Sequence, residues 1–270
     1  MPTRIGRLFD GLRAANRKAL IGYLTAGDPS LERTPALVAA LVGGGVDLVE
    51  LGVPFSDPIA DGPVIQRASE RALRAGASLR CVLEIARQIR RASEVPLLLF
   101  TYLNPVLRYG VAALAKDAAA AGIDGVLLTD LSVEEAAPHV ALLHAQKLDT
   151  VFLAAPTSTE ARLRLIAQYS SGFAYLVSRT GVTGERDSLA ASAAPLVQAM
   201  RRVTDLPLAV GFGISRPEHV AAAGALADGV VVGSAIVHLI EQYAADPDLE
   251  ARLEDFARAL KRGFDMPRPS

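Results

Sequence analysis

Glu50 stands inside the apolar run Leu48-Val49-Glu50-Leu51, which ends at Gly52 and reads as a buried strand. Burying an ionised carboxylate without a partner costs several kcal/mol. Glu50 is therefore paired, held protonated, or stationed at the open end of its strand, where a reacting molecule can meet it. The loop that follows carries Asp57 and Asp61 among Pro54, Pro58 and Pro63. Prolines restrict φ, so this loop can hold a carboxylate in one place. A strand-end glutamate with a loop aspartate is equipment for general acid and base catalysis. The alternative is a satisfied polar residue at a strand end followed by aspartates that only form turns.

Two further stretches suit an anion. Gly211-Phe212-Gly213-Ile214-Ser215 and Gly233-Ser234-Ala235 each follow an apolar run, and the second opens a helical pattern. Glycines let backbone N–H groups approach a phosphate, Ser234 adds a hydroxyl, and a helix N-terminus adds partial positive charge. Either loop alone is also what a tight turn needs; together they imply a phosphorylated substrate. Residues 178–187 form a polar loop containing Arg179, Thr183 and Gly184, long enough to close over a site. A flexible exposed loop is the competing reading. Tyr175 alternates with Phe173 and Val177, so all three face one side of their strand.

The elements that position these residues recur regularly. Short β-rich runs at 19–24, 48–52, 96–102, 125–129, 150–154, 173–178, 207–211 and 229–233 alternate with helical patterns at 31–44, 61–89 in two pieces, 111–121, 134–146, 159–169, 190–203 and 217–224. Helices at 234–244 and 249–264 follow, and Ile5, Leu8, Phe9 and Leu12 give an amphipathic leading helix. Such alternation implies right-handed βαβ units and a parallel sheet, and eight units point to an α/β fold closed as a (β/α)8 TIM barrel with an extra N-terminal helix. A doubly wound sheet is the rival, but Thr25-Ala26-Gly27-Asp28-Pro29 after the first strand matches no dinucleotide or P-loop turn. One domain over 1–270 is expected, with 266–270 a frayed tail. In a barrel, catalysis belongs at the C-terminal strand ends, with phosphate after strands seven and eight beside a short helix.

Composition bounds the partners. With 28 basic and 29 acidic residues interleaved, there is no basic stripe for nucleic acid. No apolar run reaches membrane-spanning length, and no signal-peptide core opens the chain, so a cytoplasmic location is the default. Cys81 is the only cysteine, which excludes an internal disulfide and a paired-cysteine metal site; it is expected as a buried thiol. The four histidines show no ligand spacing, so no metal site is expected.

At these residues the chain resembles a known family. Val49-Glu50-Leu51-Gly52-Val53-Pro54-Phe55-Ser56-Asp57-Pro58-Ile59-Ala60-Asp61-Gly62-Pro63, with the stretches 178–184, 211–215 and 233–237, is similar to the tryptophan synthase α subunit family. The segments 22–29 and 101–105 add to the likeness, which spans the chain from the leading helix to the last one. The resemblance implies a barrel that cleaves indole-3-glycerol phosphate to indole and glyceraldehyde 3-phosphate without a cofactor of its own. It implies a pyridoxal-phosphate β subunit as partner in an α2β2 heterotetramer, with indole passed between them. It assigns Glu50 and Asp61 as catalytic carboxylates and Tyr175 as an active-site tyrosine. Phosphate would be held by Gly184, Phe212, Gly213, Gly233 and Ser234. Tyr23, Phe100, Leu128 and Leu153 would wall the indole pocket, Arg179 and Thr183 belong to the lid, and Pro54, Phe55, Asp57 and Asn104 face the partner. Tyr23 departs from a frequent phenylalanine and Phe100 from a common aliphatic residue.

Overall fold

The computed structural model describes residues 3–177, 186–211 and 213–266, the side chains of 186–192 excepted. Thr3 caps the first helix, α1 (Arg4–Ala14), by accepting the N–H of Gly6 at 3.1 Å. Ile5, Phe9 and Leu12 on one face of α1 pack into Leu48, Leu98, Leu127 and Val151 from four successive strands and into Phe173, just before a later one. Each such side chain taken out of water is worth roughly 1.5–3 kcal/mol. The leading helix is thus part of the barrel's own core.

The strands are β1 (Ala19–Thr25), β2 (Leu48–Gly52), β3 (Leu97–Thr101), β4 (Gly125–Leu128), β5 (Asp149–Val151), β6 (Leu153–Ala154), β7 (Ala174–Val177), β8 (Leu208–Gly211) and β9 (Gly229–Val232). All pairings are parallel, in the order β5-β4-β3-β2-β1-β9-β8-β7-β6. Only Phe152 separates β5 from β6, so the two ends of that order are halves of one strand and the sheet closes on itself. This is the expected eight-unit barrel, with its fifth strand in two pieces.

Outside the strands lie α2 (Thr34–Gly43), α3 (Pro63–Arg74), α4 (Leu79–Ala92), α5 (Leu103–Tyr109), α6 (Val111–Ala120), α7 (Ala137–Ala145), α8 (Glu160–Tyr169), α9 (Arg186–Arg201), α10 (Pro217–Gly224), α11 (Ser234–Gln242) and α12 (Leu249–Lys261). The apolar layer between helices and strands takes Val49, Leu51, Leu97, Leu99, Val210 and Val230, which alternate with the inward residues of the same strands.

Three expectations are corrected. The segment after β3, where no helical pattern was expected, is the helix α5, and it carries Asn104. Pro105 hid it, yet proline is tolerated in a first turn, where its missing N–H has no helical partner to lose. The helix α9 begins at Arg186, so Arg186 and Asp187 belong to it and not to a lid; the remainder of that loop, 178–185, lies outside the described residues. Cys81 is half-buried at the start of α4, its Sγ 3.1 Å from Ser78 Oγ, and is not a core thiol. Met266, the first residue of the expected tail, is described and 39% exposed; 267–270 lie outside.

Candidate active site

Strand alternation decides where Glu50 points. Leu48 belongs to the lumen and Val49 and Leu51 to the outer layer, so Glu50 and Gly52 face inward. Glu50 is 1% exposed, and its Oε1 has no hydrogen-bond partner among the described residues. Burial pushes its carboxyl up to about 8. At pH 7 it is then mostly protonated. A buried acid with an idle oxygen is held ready to give up a proton.

Asp61 arrives by a different route. Its loop is built of tight turns, Ile59 N–H donating to Asp57 O at 2.8 Å and Asp61 N–H to Pro58 O at 3.0 Å. Gln66, in the first turns of α3, donates its side-chain N–H to Asp61 O at 2.8 Å. The Tyr102 hydroxyl donates to Asp61 Oδ2 at 3.0 Å and accepts the Ala60 N–H at 3.0 Å. Burial raises the Asp61 carboxyl to about 6, with the Tyr102 hydrogen bond pulling the other way. At pH 7 Asp61 is therefore mostly ionised while Glu50 is mostly neutral. Two carboxylates whose environments separate their charge states make an acid and a resident anion.

Sequence reasoning did not single out Tyr102. The signal was present: Leu98 and Phe100 face the lumen, and Tyr102 is the next residue of that parity just past the end of β3.

Aromatic rings wall the space beside these groups. Tyr23 pairs in register with Glu50, and its ring meets Phe100 edge-on, centroids 5.2 Å apart at 75°. It lies over Gly52, where any side chain would collide with the Tyr23 hydroxyl. Tyr175, 8% exposed on β7, covers Gly211 in the same way. Both phenols are pushed up, first by burial and then by nearby carboxylate charge, Asp61 for Tyr23 and Glu50 for Tyr175, so both are neutral donors. Phe173, Tyr175 and Val177 share the lumen, as does Leu153. Leu128 does not: it packs in the outer layer, and Leu127 is the inward residue of β4. The one-residue slip matters because strand side chains alternate faces.

At the anion end, Ser234 is the exposed first residue of α11, preceded by Gly233, which backs onto the Tyr23 side chain. Gly213 is exposed with φ +70, a conformation that favours glycine. Phe212, Gly184, Arg179 and Thr183 lie outside the described residues.

Pro54, Phe55, Asp57 and Asn104 are brought together along a groove of about 590 Å³, bounded also by Arg80 and Tyr109. The first half of the carboxylate loop forms one side of this groove, which includes neither Glu50 nor Asp61. Its wall nevertheless touches the site: the Phe55 ring lies 5.1 Å from that of Tyr102. Among the described residues there is no cluster of three metal-ligating side chains, and no helix is long and apolar enough to cross a membrane.

Residues 9–264 match the family described as tryptophan synthase alpha chain. The chain is 72% identical over 262 residues to the tryptophan synthase alpha chain of Solibacter usitatus, covering 97% of this chain and 98% of that one. It is 50% identical over 262 residues to that of Methanosarcina mazei, covering 97% and 94%. A crystal structure of tryptophan synthase subunit alpha from Legionella pneumophila superposes with a TM-score of 0.90 at 37% identity, covering 98% and 99%. Tryptophan synthase from M. tuberculosis in an aminoacrylate-bound form gives 0.87 at 40%, covering 97% and 99%.

Proposed function

The chain belongs to the tryptophan synthase alpha chain family, and from that premise we propose that its barrel mouth cleaves indole-3-glycerol phosphate, with Glu50 and Asp61 as the working carboxylates. The alpha reaction is a lyase reaction, a retro-aldol cleavage to indole and D-glyceraldehyde 3-phosphate. The single observation that carries the residue assignment is the contrast between a Glu50 held mostly neutral by burial, one of its oxygens without a partner among the described residues, and a mostly ionised, Tyr102-held Asp61 in one barrel mouth.

The chemistry needs that contrast. A proton must reach indole C3, which leaves the ring as an indolenine cation. The hydroxyl on the adjacent carbon must then lose its proton, so that a carbonyl forms while the C–C bond electrons return to the ring. Glu50 begins protonated, gives its proton to C3, and as a carboxylate takes the hydroxyl proton, ending as it began. Asp61 accepts the indole N–H, a contact that strengthens as the ring becomes positive and so favours the transition state over the ground state. The Tyr175 phenol faces the same lumen as a neutral donor, Tyr23, Phe100 and Leu153 wall the ring, and Gly213, Gly233 and Ser234 receive the phosphate at the N-terminus of α11. The lid and phosphate roles of Arg179, Thr183, Gly184 and Phe212 rest on the family resemblance.

A β subunit is the partner implied by the family. We place its docking at the groove of Pro54, Phe55, Asp57 and Asn104, in an α2β2 assembly whose pyridoxal phosphate belongs to β, this chain carrying no cofactor. A single barrel domain working in the cytoplasm completes the reading. The test is indole release from indole-3-glycerol phosphate by the parent chain and by Glu50→Gln. A loss of at least about 10²-fold in kcat, with KM little changed, supports the assignment; a variant within a few-fold of the parent removes Glu50 from the chemistry.

A further inference from the structure

The helix α11 begins at the phosphate site with Ser234 and ends beside α3, whose own start holds Asp61. The two helices touch in two ways. Ala68 of α3 and Val237 of α11 are buried together under Tyr23, with Val64 and Ile65 packed against them. One turn further along, Glu241 of α11 is gripped by two arginines of α3. Arg67 donates to both of its oxygens at 2.8 Å and Arg71 to Oε1 at 2.7 Å. His238, on the same helix, stands 3.7 Å from it. Arg71 is itself anchored in fork geometry on Asp28, both N···O distances 2.8 Å, and the Asp28 side chain is only 2% exposed. Asp28 belongs to the segment just past the end of β1. The network therefore joins the barrel rim, the helix that aims Asp61 and the helix that opens at the phosphate site.

An exposed ion pair adds little to stability. This arrangement is different in kind, because one carboxylate bridges two helices and a third element fixes the bridging arginine. A substrate that carries its indole and its phosphate on one short chain must satisfy Asp61 and Ser234 at once. Its fit depends on the spacing of α3 and α11, whereas the binding of phosphate alone does not.

We propose that Glu241, clamped by Arg67 and Arg71, is a positioning residue that sets the distance between the Asp61 carboxylate and the phosphate-binding end of α11. The inference rests on the assignment of those two ends given above. It makes Glu241 a determinant of substrate length without any contact to substrate.

The test compares two probes on the parent and on Glu241→Ala. One is inorganic phosphate; the other is indole carrying a phosphorylated three-carbon chain at C3, which cannot undergo cleavage. The parent should bind the linked probe far more tightly than phosphate. If it does not, the assignment of the two ends fails, and the clamp loses its premise with it. With that result in hand, Glu241→Ala should weaken the linked probe by about tenfold and raise KM for the cleavable substrate similarly, while phosphate affinity stays within about twofold. Arg67→Ala, which leaves Arg71 on Glu241, should give a smaller effect of the same sign. If Glu241→Ala folds poorly, the isosteric Glu241→Gln supplies the same comparison. Equal affinity of parent and variant for the linked probe would overturn the proposal. So would an equal proportional loss for both probes, which would mean that the clamp only supports the phosphate helix.

Discussion

The hydroxyl of Tyr102 donates to Oδ2 of Asp61 across 3.0 Å and at the same time receives the N–H of Ala60, so one phenol fixes both the aspartate and the backbone beside it. The hydrogen bond favours the ionised carboxylate, whose value of about 6 is already raised by burial. Activity needs Asp61 ionised and Glu50 protonated, so kcat/KM should rise through about pH 6 and fall through about pH 8. Tyr102→Phe removes the bond, and the acidic limb should move to higher pH while the alkaline limb stays. Measurement is the pH dependence of indole release. An acidic limb that does not move would mean that Tyr102 does not tune Asp61.

Glu50 should also make stability fall as pH rises. Its folded value, about 8, lies above the ordinary glutamate value of 4.5, so between those values the folded chain binds the extra proton. The cost is absent below about pH 4.5 and complete above about pH 8, each pH unit between them worth at most about 1.4 kcal/mol. Glu50→Gln removes that cost. Its Tm should match the parent near pH 4.5 and exceed it by several degrees near pH 9, read by thermal denaturation in parallel buffers. A constant difference across the range would show that Glu50 is not buried in its neutral form.

A carboxylate at the start of α11 should compete with the substrate's phosphate. Ser234 is the exposed first residue of α11, so Ser234→Asp should fold as the parent does. An acidic residue there suits the helix dipole and repels the phosphate. KM should rise by at least about tenfold with little change in Tm. An unchanged KM would place the phosphate elsewhere.

Asp57 lines the groove assigned to the β subunit, and that groove shares Phe55 with Tyr102 and hence with Asp61. Partner docking and catalysis should therefore be coupled through this loop. Asp57→Ala should reduce the activation of indole release by a saturating β subunit more than it reduces the basal rate. Proportional losses in both conditions would mean that the loop supports folding or chemistry and transmits nothing from the partner.

The periodicity of the chain was enough to determine the barrel, because strands buried on both faces read as apolar runs and their helices as a second period. Glu50 and Asp61 were legible because a charge inside an apolar run, followed by a proline-rich acidic loop, has few structural explanations. Alternation also put Tyr175 beside Phe173 and Val177. The family resemblance carried the pocket assignment to Leu128, where the structure turns Leu127 inward, since a strand's facing depends on register against neighbours that lie far away in sequence. Only the tertiary structure decided which carboxylate is neutral. That depends on what surrounds each group: Glu50 has an oxygen with no described partner, while Asp61 meets Tyr102, which is 41 residues away in the chain. The grip of Arg67 and Arg71 on Glu241 spans 174 and 170 residues. Ion pairs of that reach form only when barrel closure brings α3 and α11 side by side, which no local pattern encodes.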